Sequence, residues 1–143
     1  MDDAGAAARR YRTLLISQGS ALSEYLEVLE NQRQAILRDD GDALEVYADM
    51  GEGLAAAIES TGKALKSLEA LGVPEDGEIS RLRTDLRDIE ARALERNGEN
   101  RKLLLDRMAG IRQRLGTLQN PYRNRRSVFS QDGPVATVIK IDV

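Results

Sequence analysis

Apolar residues recur along the chain at three- and four-residue steps in three blocks, the spacing that lays a single stripe along an α-helix. In the first block Leu15, Leu22, Leu29 and Ile36 stand seven apart, with Tyr25 and Leu26 between them. This predicts a helix over about 7–38. Gly19-Ser20 is the one place where it could restart, because a serine oxygen can accept a free backbone N–H as an N-cap. In the second block Leu44, Tyr47, Leu54, Ile58, Leu65 and Leu68 share a stripe, with Gly51 and Thr61 at its small positions. It predicts a helix over about 42–71. The third block runs Ile79, Leu82, Leu86, Ile89, Ala93, Asn97, Asn100, Leu104, Met108, Ile111, Leu115 and Leu118, and predicts a helix over about 76–119.

The punctuation between blocks fits. In "DDGD", residues 39–42, Gly41 can take positive φ and Asp42 with Glu45 has capping-box spacing. In "GVPEDGE", Gly72 suits the position after a helix end and Pro74 cannot continue the helix. Asn120-Pro121 closes the third helix, since the residue before proline avoids the α region. From residue 120 the character changes. Four basic and two acidic residues follow a body with seventeen basic and twenty-two acidic ones. Val135, Thr137, Ile139, Ile141 and Val143 then alternate with other residues at period two, a strand signature with no second strand to pair with. The expected fold is therefore all-α: an elongated antiparallel three-helix bundle or coiled coil over 1–119, with a long third helix, followed by a basic, then strand-like, C-terminal tail over 120–143.

Lengths add a consequence. The first two helices span roughly 45 Å and the third roughly 65 Å. Short connections make consecutive helices antiparallel neighbours. A third helix laid back along the second should outrun it near residue 104. Leu104, Leu105, Met108, Ile111, Leu115 and Leu118 would then form an apolar overhang larger than a monomer usually leaves in water. Such a stripe fits an amphipathic helix of a partner. "ERNGENRKLLLDRM", residues 95–108, interrupts the pattern just before that point with Asn97, Gly98 and Asn100. Three readings stand. The amides mark a handover from packing within the chain to packing against a partner. They are buried and set register, as polar residues do in coiled coils. Or Gly98 breaks the helix and the distal part folds back as a fourth.

Composition narrows the function. The 143 residues contain no Cys and no His, so disulfides, thiolate metal sites and the commonest acid–base group are absent. No metal or other cofactor is expected. Carboxylates such as Asp85, Asp88 and Glu90 are spaced as on a solvated helix face, and Gly51-x-Gly53 lies inside a helix instead of after a strand. An enzyme is not expected. Tyr122, Arg123, Arg125, Arg126 and Phe129 interleave basic and aromatic residues as single-strand binders do, but the net charge of −3 argues against nucleic acid. No apolar run reaches the ~20 residues of a membrane span. The acidic start, "MDDAGAAARRYR", has no apolar signal core. A cytoplasmic location follows as the expectation.

Two stretches resemble flagellar export chaperones of the FlgN type. "YLEVLENQRQAILRDDGDALEVYADMGEGLAAAIES", residues 25–60, is similar to that family's helix, short acidic turn and second helix. "ERNGENRKLLLDRMAGIRQRLGTL", residues 95–118, resembles its third-helix pattern of two spaced asparagines followed by leucines. Tyr122 and Gly133 stand where family members often carry a Tyr and a Gly. The resemblance implies a cytoplasmic, non-enzymatic chaperone that holds the C-terminal helical segments of hook–filament junction (hook-associated) proteins. It would prevent their premature assembly and deliver them to the flagellar type III export gate. On this resemblance the client-binding face is Asn97, Asn100, Leu104, Met108, Ile111, Leu115 and Leu118, and Tyr122 is a contact for the export gate. The alternative is a coiled-coil scaffold or adaptor that self-associates, for instance as a homodimer, through the same helix.

Overall fold

The computed structural model describes residues 3–73 and 75–118. They form three helices, α1 (Asp3–Leu37), α2 (Gly41–Ala70) and α3 (Gly77–Leu118). The basic and strand-like tail lies outside the described residues. α1 runs through Gly19-Ser20 without a restart, and α3 runs through Gly98 without a break. The fourth-helix reading is thereby set aside for the described part of the chain.

The helix ends follow from where free backbone groups find partners. At the first turn the left-handed residue is Asp39, with φ 56°. The N-cap is Asp40, whose carboxylate accepts the Ala43 N–H at 3.0 Å. Gly41 and Asp42, expected as the turn and cap residues, instead open the helix itself. Aspartate tolerates the left-handed region better than most side chains. The chain therefore reverses one step earlier than the glycine suggests. Asp42 still sits in the first turn, where its charge opposes the helix dipole. Gly72 takes φ 80° just past α2, as expected, and its N–H reaches the Glu69 carbonyl at 3.0 Å. Asp76 caps α3 by accepting the Ile79 N–H at 2.8 Å.

α1 is the centre of the bundle. α2 lies antiparallel to it, with Tyr11 meeting Glu69, Gln18 meeting Ile58 and Gln32 meeting Tyr47. α3 lies parallel to it, with Arg12 meeting Glu78, Glu30 meeting Arg96 and Asp39 meeting Arg107. No Cα of α2 comes within 8 Å of a Cα of α3. The expectation that the third helix packs back along the second is corrected here: it packs along the first.

The reason lies in α1. Leu15, Leu22, Leu29 and Ile36 form one seven-residue series, Tyr11, Gln18, Tyr25 and Gln32 a second, and Leu14, Ala21, Val28 and Ala35 a third. All of these are buried except Leu14 and Ala21, which are half-buried. Three adjacent series make an arc wide enough for two helices. α2 and α3 each pack along α1. The main core joins Tyr11, Leu15, Leu22, Tyr25 and Leu29 to Ile58, Leu65 and Leu68 of α2 and to Ile79, Leu86 and Ala93 of α3. A smaller cluster at the opposite end joins Ile36, Ala48 and Leu104, with Leu44, Leu103 and Met108 against it.

Gly98 is exposed, and a Cβ placed there would meet nothing within 4 Å. Gly98→Ala is expected to raise unfolding free energy by about 1 kcal/mol, because alanine is the better helix former and no neighbour must move. Urea denaturation monitored by circular dichroism measures it.

Candidate helix-binding surface

The register of α3 on α1 is set by polar groups. Asn100 is 1% exposed, and its Nδ2 donates to the Leu29 carbonyl at 2.7 Å. Two glutamines of α1 do the same toward α2: Gln18 Nε2 donates to the Ile58 carbonyl at 2.8 Å and Gln32 Nε2 to the Tyr47 carbonyl at 3.3 Å. In all three the amide oxygen has no partner. Each amide fits only one carbonyl of the facing helix, so a slip of one residue strands the donor at a cost of about 1–3 kcal/mol. Of the readings of Asn97 and Asn100, this places both amides inside the bundle, with Asn100 as a register residue.

The nominated client face therefore divides. Asn97 and Asn100 are buried, and Leu104, at 8% exposure, closes the small cluster with Ile36 and Ala48. These three are packed within the bundle of this chain. The overlap reaches further than residue 104 because the partner is α1, shifted by the parallel pairing. Its end is marked by Arg107, which pairs with Asp39 at 3.5 Å and donates to the Leu37 carbonyl at 3.3 Å. A cation on the last carbonyls of a helix is electrostatically well placed.

Past Arg107 the α1 surface ends while α3 continues to Leu118, a further length of roughly 16 Å. Met108 still packs on the small cluster. Ile111 is half-buried and Leu115 is 44% exposed. Of the nominated residues with described side chains, Met108, Ile111 and Leu115 are the ones that are not fully buried. The Leu118 side chain and Tyr122 lie outside what is described.

At the other end a polar clamp ties all three helices. The Tyr11 hydroxyl donates to Glu69 of α2 at 2.5 Å and accepts from Arg83 Nε of α3 at 2.9 Å. The Arg83 guanidinium also lies 5.3 Å from the Tyr11 ring centroid and pairs with Glu75. Burial, together with donation to Glu69, pushes the Tyr11 phenol above its ordinary range against the opposing pull of Arg83. Sequence reasoning had not singled out Tyr11. Its only signal was an aromatic seven residues before Gln18 in the second buried series.

Leu105, named in the overhang, is 44% exposed, and Leu94, not foreseen, is an exposed leucine at 52%. Asp85, Asp88 and Glu90 lie exposed on α3. Among the described residues no group of three or more Asp and Glu gathers to hold a metal ion, and no helix is long and apolar enough to cross a membrane.

The chain matches no known family profile and no solved structure. It is 29% identical over 132 residues to an uncharacterized protein of Treponema pallidum (strain Nichols), an alignment covering 90% of this chain and 83% of that one.

Proposed function

We propose that this protein is a non-enzymatic cytoplasmic chaperone that captures an amphipathic helix on the distal end of α3, in the manner of a FlgN-type flagellar export chaperone. One observation carries the reading. The apolar stripe of α3 continues past the end of α1, through Ile111 to the half-exposed Leu115. An apolar helix edge left partly exposed among the described residues is a surface to which an amphipathic helix binds. The clients are the C-terminal segments of hook–filament junction proteins. Covering their apolar stripes before export prevents assembly in the wrong place. Ordering of the client on binding offsets part of the burial gain, which keeps the complex releasable at the export gate.

The test is capture of a junction-protein C-terminal fragment by the full chain. Leu115→Asp should weaken capture at least tenfold, the effect of about 1.4 kcal/mol. It should leave helicity and Tm unchanged, because the side chain is half-exposed in the free protein. Unchanged affinity for this variant overturns the assignment. Self-association that Leu115→Asp abolishes, without client capture, identifies a scaffold instead.

A further inference from the structure

The first half of α2 carries a face left exposed among the described residues. From Gly41 to Ile58 it has four carboxylates, Asp42, Glu45, Asp49 and Glu52, and no base. All four are exposed, and none forms an ion pair or a side-chain hydrogen bond among the described residues. Val46 and Met50, one turn apart between them, are 56% and 49% exposed. We infer that this face is the docking site for residues 123–129 of the same chain, "RNRRSVF", with Arg123, Arg125 and Arg126 on the carboxylates and Val128 and Phe129 on Val46 and Met50. That segment lies outside the described residues. The site does not use the distal α3 stripe and does not depend on the proposed export role.

Charge selects the occupant. On α3 acids and bases are interspersed, as in Glu78, Arg81, Arg83, Asp85, Arg87 and Asp88. The first half of α2 departs from that mixture, and a run of one sign attracts the opposite sign. Residues 121–131 supply it, with three arginines and no acid. A guanidinium can also take a carboxylate with two N–H donors at once. Each exposed pair is weak by itself. Three of them with an apolar contact, held on a short tether at an effective concentration on the order of millimolar, reinforce one another.

Reach selects the same segment. Met108 of α3 packs in one cluster with Leu44 and Ala48 of α2, which sets the two helices level at that point. Leu118 is ten residues on, roughly 15 Å past that level. Arg126 follows Leu118 by eight residues, a length of chain that spans up to roughly 27 Å. The arginines can therefore return to the first turns of α2. The spacings agree as well. Asp42 to Asp49 is seven helical residues, roughly 10 Å. Arg123 to Arg126 is three steps of extended chain, also roughly 10 Å.

The carboxylates also stand on the right flank. Glu59 and Lys66 of α2 border the space between α2 and α3. Glu52 and Glu45 precede them at seven-residue steps, which keeps them in the same row of the helix. That row is turned toward α3, the helix from which the segment departs. Docking there ties the end of α3 to α2, two helices that among the described residues are joined only through α1.

The chain has no Cys, so a single nitroxide can be carried on Ala56→Cys, an exposed position on the same half of α2. In the full-length labelled protein the amide NMR signals of residues 123–129 should be broadened at low salt. They should recover at about 1 M salt, where the screening length is ~3 Å. Glu45→Lys with Asp49→Lys should abolish the broadening without lowering helicity or Tm, because both side chains are exposed. Adding Arg125→Glu and Arg126→Glu to that variant should restore it. Sharp signals for 123–129 in the labelled parent overturn the proposal. So does broadening that the first charge reversal leaves unchanged, or that the second fails to bring back. Broadening seen only between chains, in a mixture of spin-labelled and isotope-labelled protein, also overturns it and assigns the face to a second copy.

Discussion

Tyr11→Ala should lower the unfolding free energy by about 3–5 kcal/mol, the range for truncating a buried aromatic. For a chain of this size that is a fall in Tm of more than about 10 °C. The ring is fully buried in the main core, among residues from all three helices. Its loss opens a cavity under both flanking helices at once, and their backbones do not approach each other closely. Tyr11→Phe separates the hydroxyl from the ring. It removes the bonds to Glu69 and Arg83 but leaves the packing, and should cost about 1 kcal/mol. Glu69 is exposed and Arg83 half-buried, so water can replace the lost partner.

The same pair predicts an alkaline limb. The folded-state pKa of Tyr11 is raised above its unfolded value near 10. The native state therefore holds the proton where the unfolded chain releases it. That contribution is complete below about pH 10 and is lost as pH rises toward the folded-state value. Wild type and Tyr11→Phe should therefore converge in stability at alkaline pH. Urea midpoints of both proteins measured between neutral pH and the phenol range check the sign. A gap that widens with pH contradicts the cause assigned to the shift.

The helices themselves were legible because a 3.6-residue period is written in the spacing of leucines over ten turns. The bounds of all three helices fall close to those the pattern marks. Partner choice was less legible. A stripe says which face is buried and not against what, and loop length alone favours α2 as the neighbour of α3. The deciding information was the breadth of the α1 arc. Val28 and Ala35 beside Leu22 and Leu29 show that α1 needs two partners. The small-polar series Gln18 and Gln32 did not read as buried at all, because amides are mostly exposed and only the facing carbonyls justify them. The site was affected in turn. Once α3 is paired with α1 in parallel, the point of overhang moves from near Leu104 to just past Arg107. Three of the nominated contacts pass into the core, while Ile111 and Leu115 remain outside it.

Asn100→Asp should be the most damaging single-atom-scale change in the chain, costing about 3–5 kcal/mol at neutral pH. The two side chains have nearly the same shape, so no cavity or clash contributes. What changes is charge. Nδ2 donates to the Leu29 carbonyl at 2.7 Å in a site that is 1% exposed. A carboxylate there would set an oxygen bearing negative charge against a carbonyl oxygen, with no water to screen it. The protonated carboxyl can still donate one O–H to Leu29. Its folded-state pKa should therefore lie well above the unfolded value near 4. By the same linkage, the variant should be close to wild type below about pH 4 and lose stability as pH rises from there. Asn100→Leu provides the contrast. It removes the unpaired amide oxygen along with the donor, and should leave stability within about 1 kcal/mol of wild type. What it removes is the one group that fits a single carbonyl of α1. A pH-dependent loss for Asn100→Asp beside near-neutrality for Asn100→Leu would show that this asparagine fixes the register of α3, and with it the length of stripe left beyond Arg107. Equal loss in both variants would mean that shape at this position matters and the hydrogen bond does not.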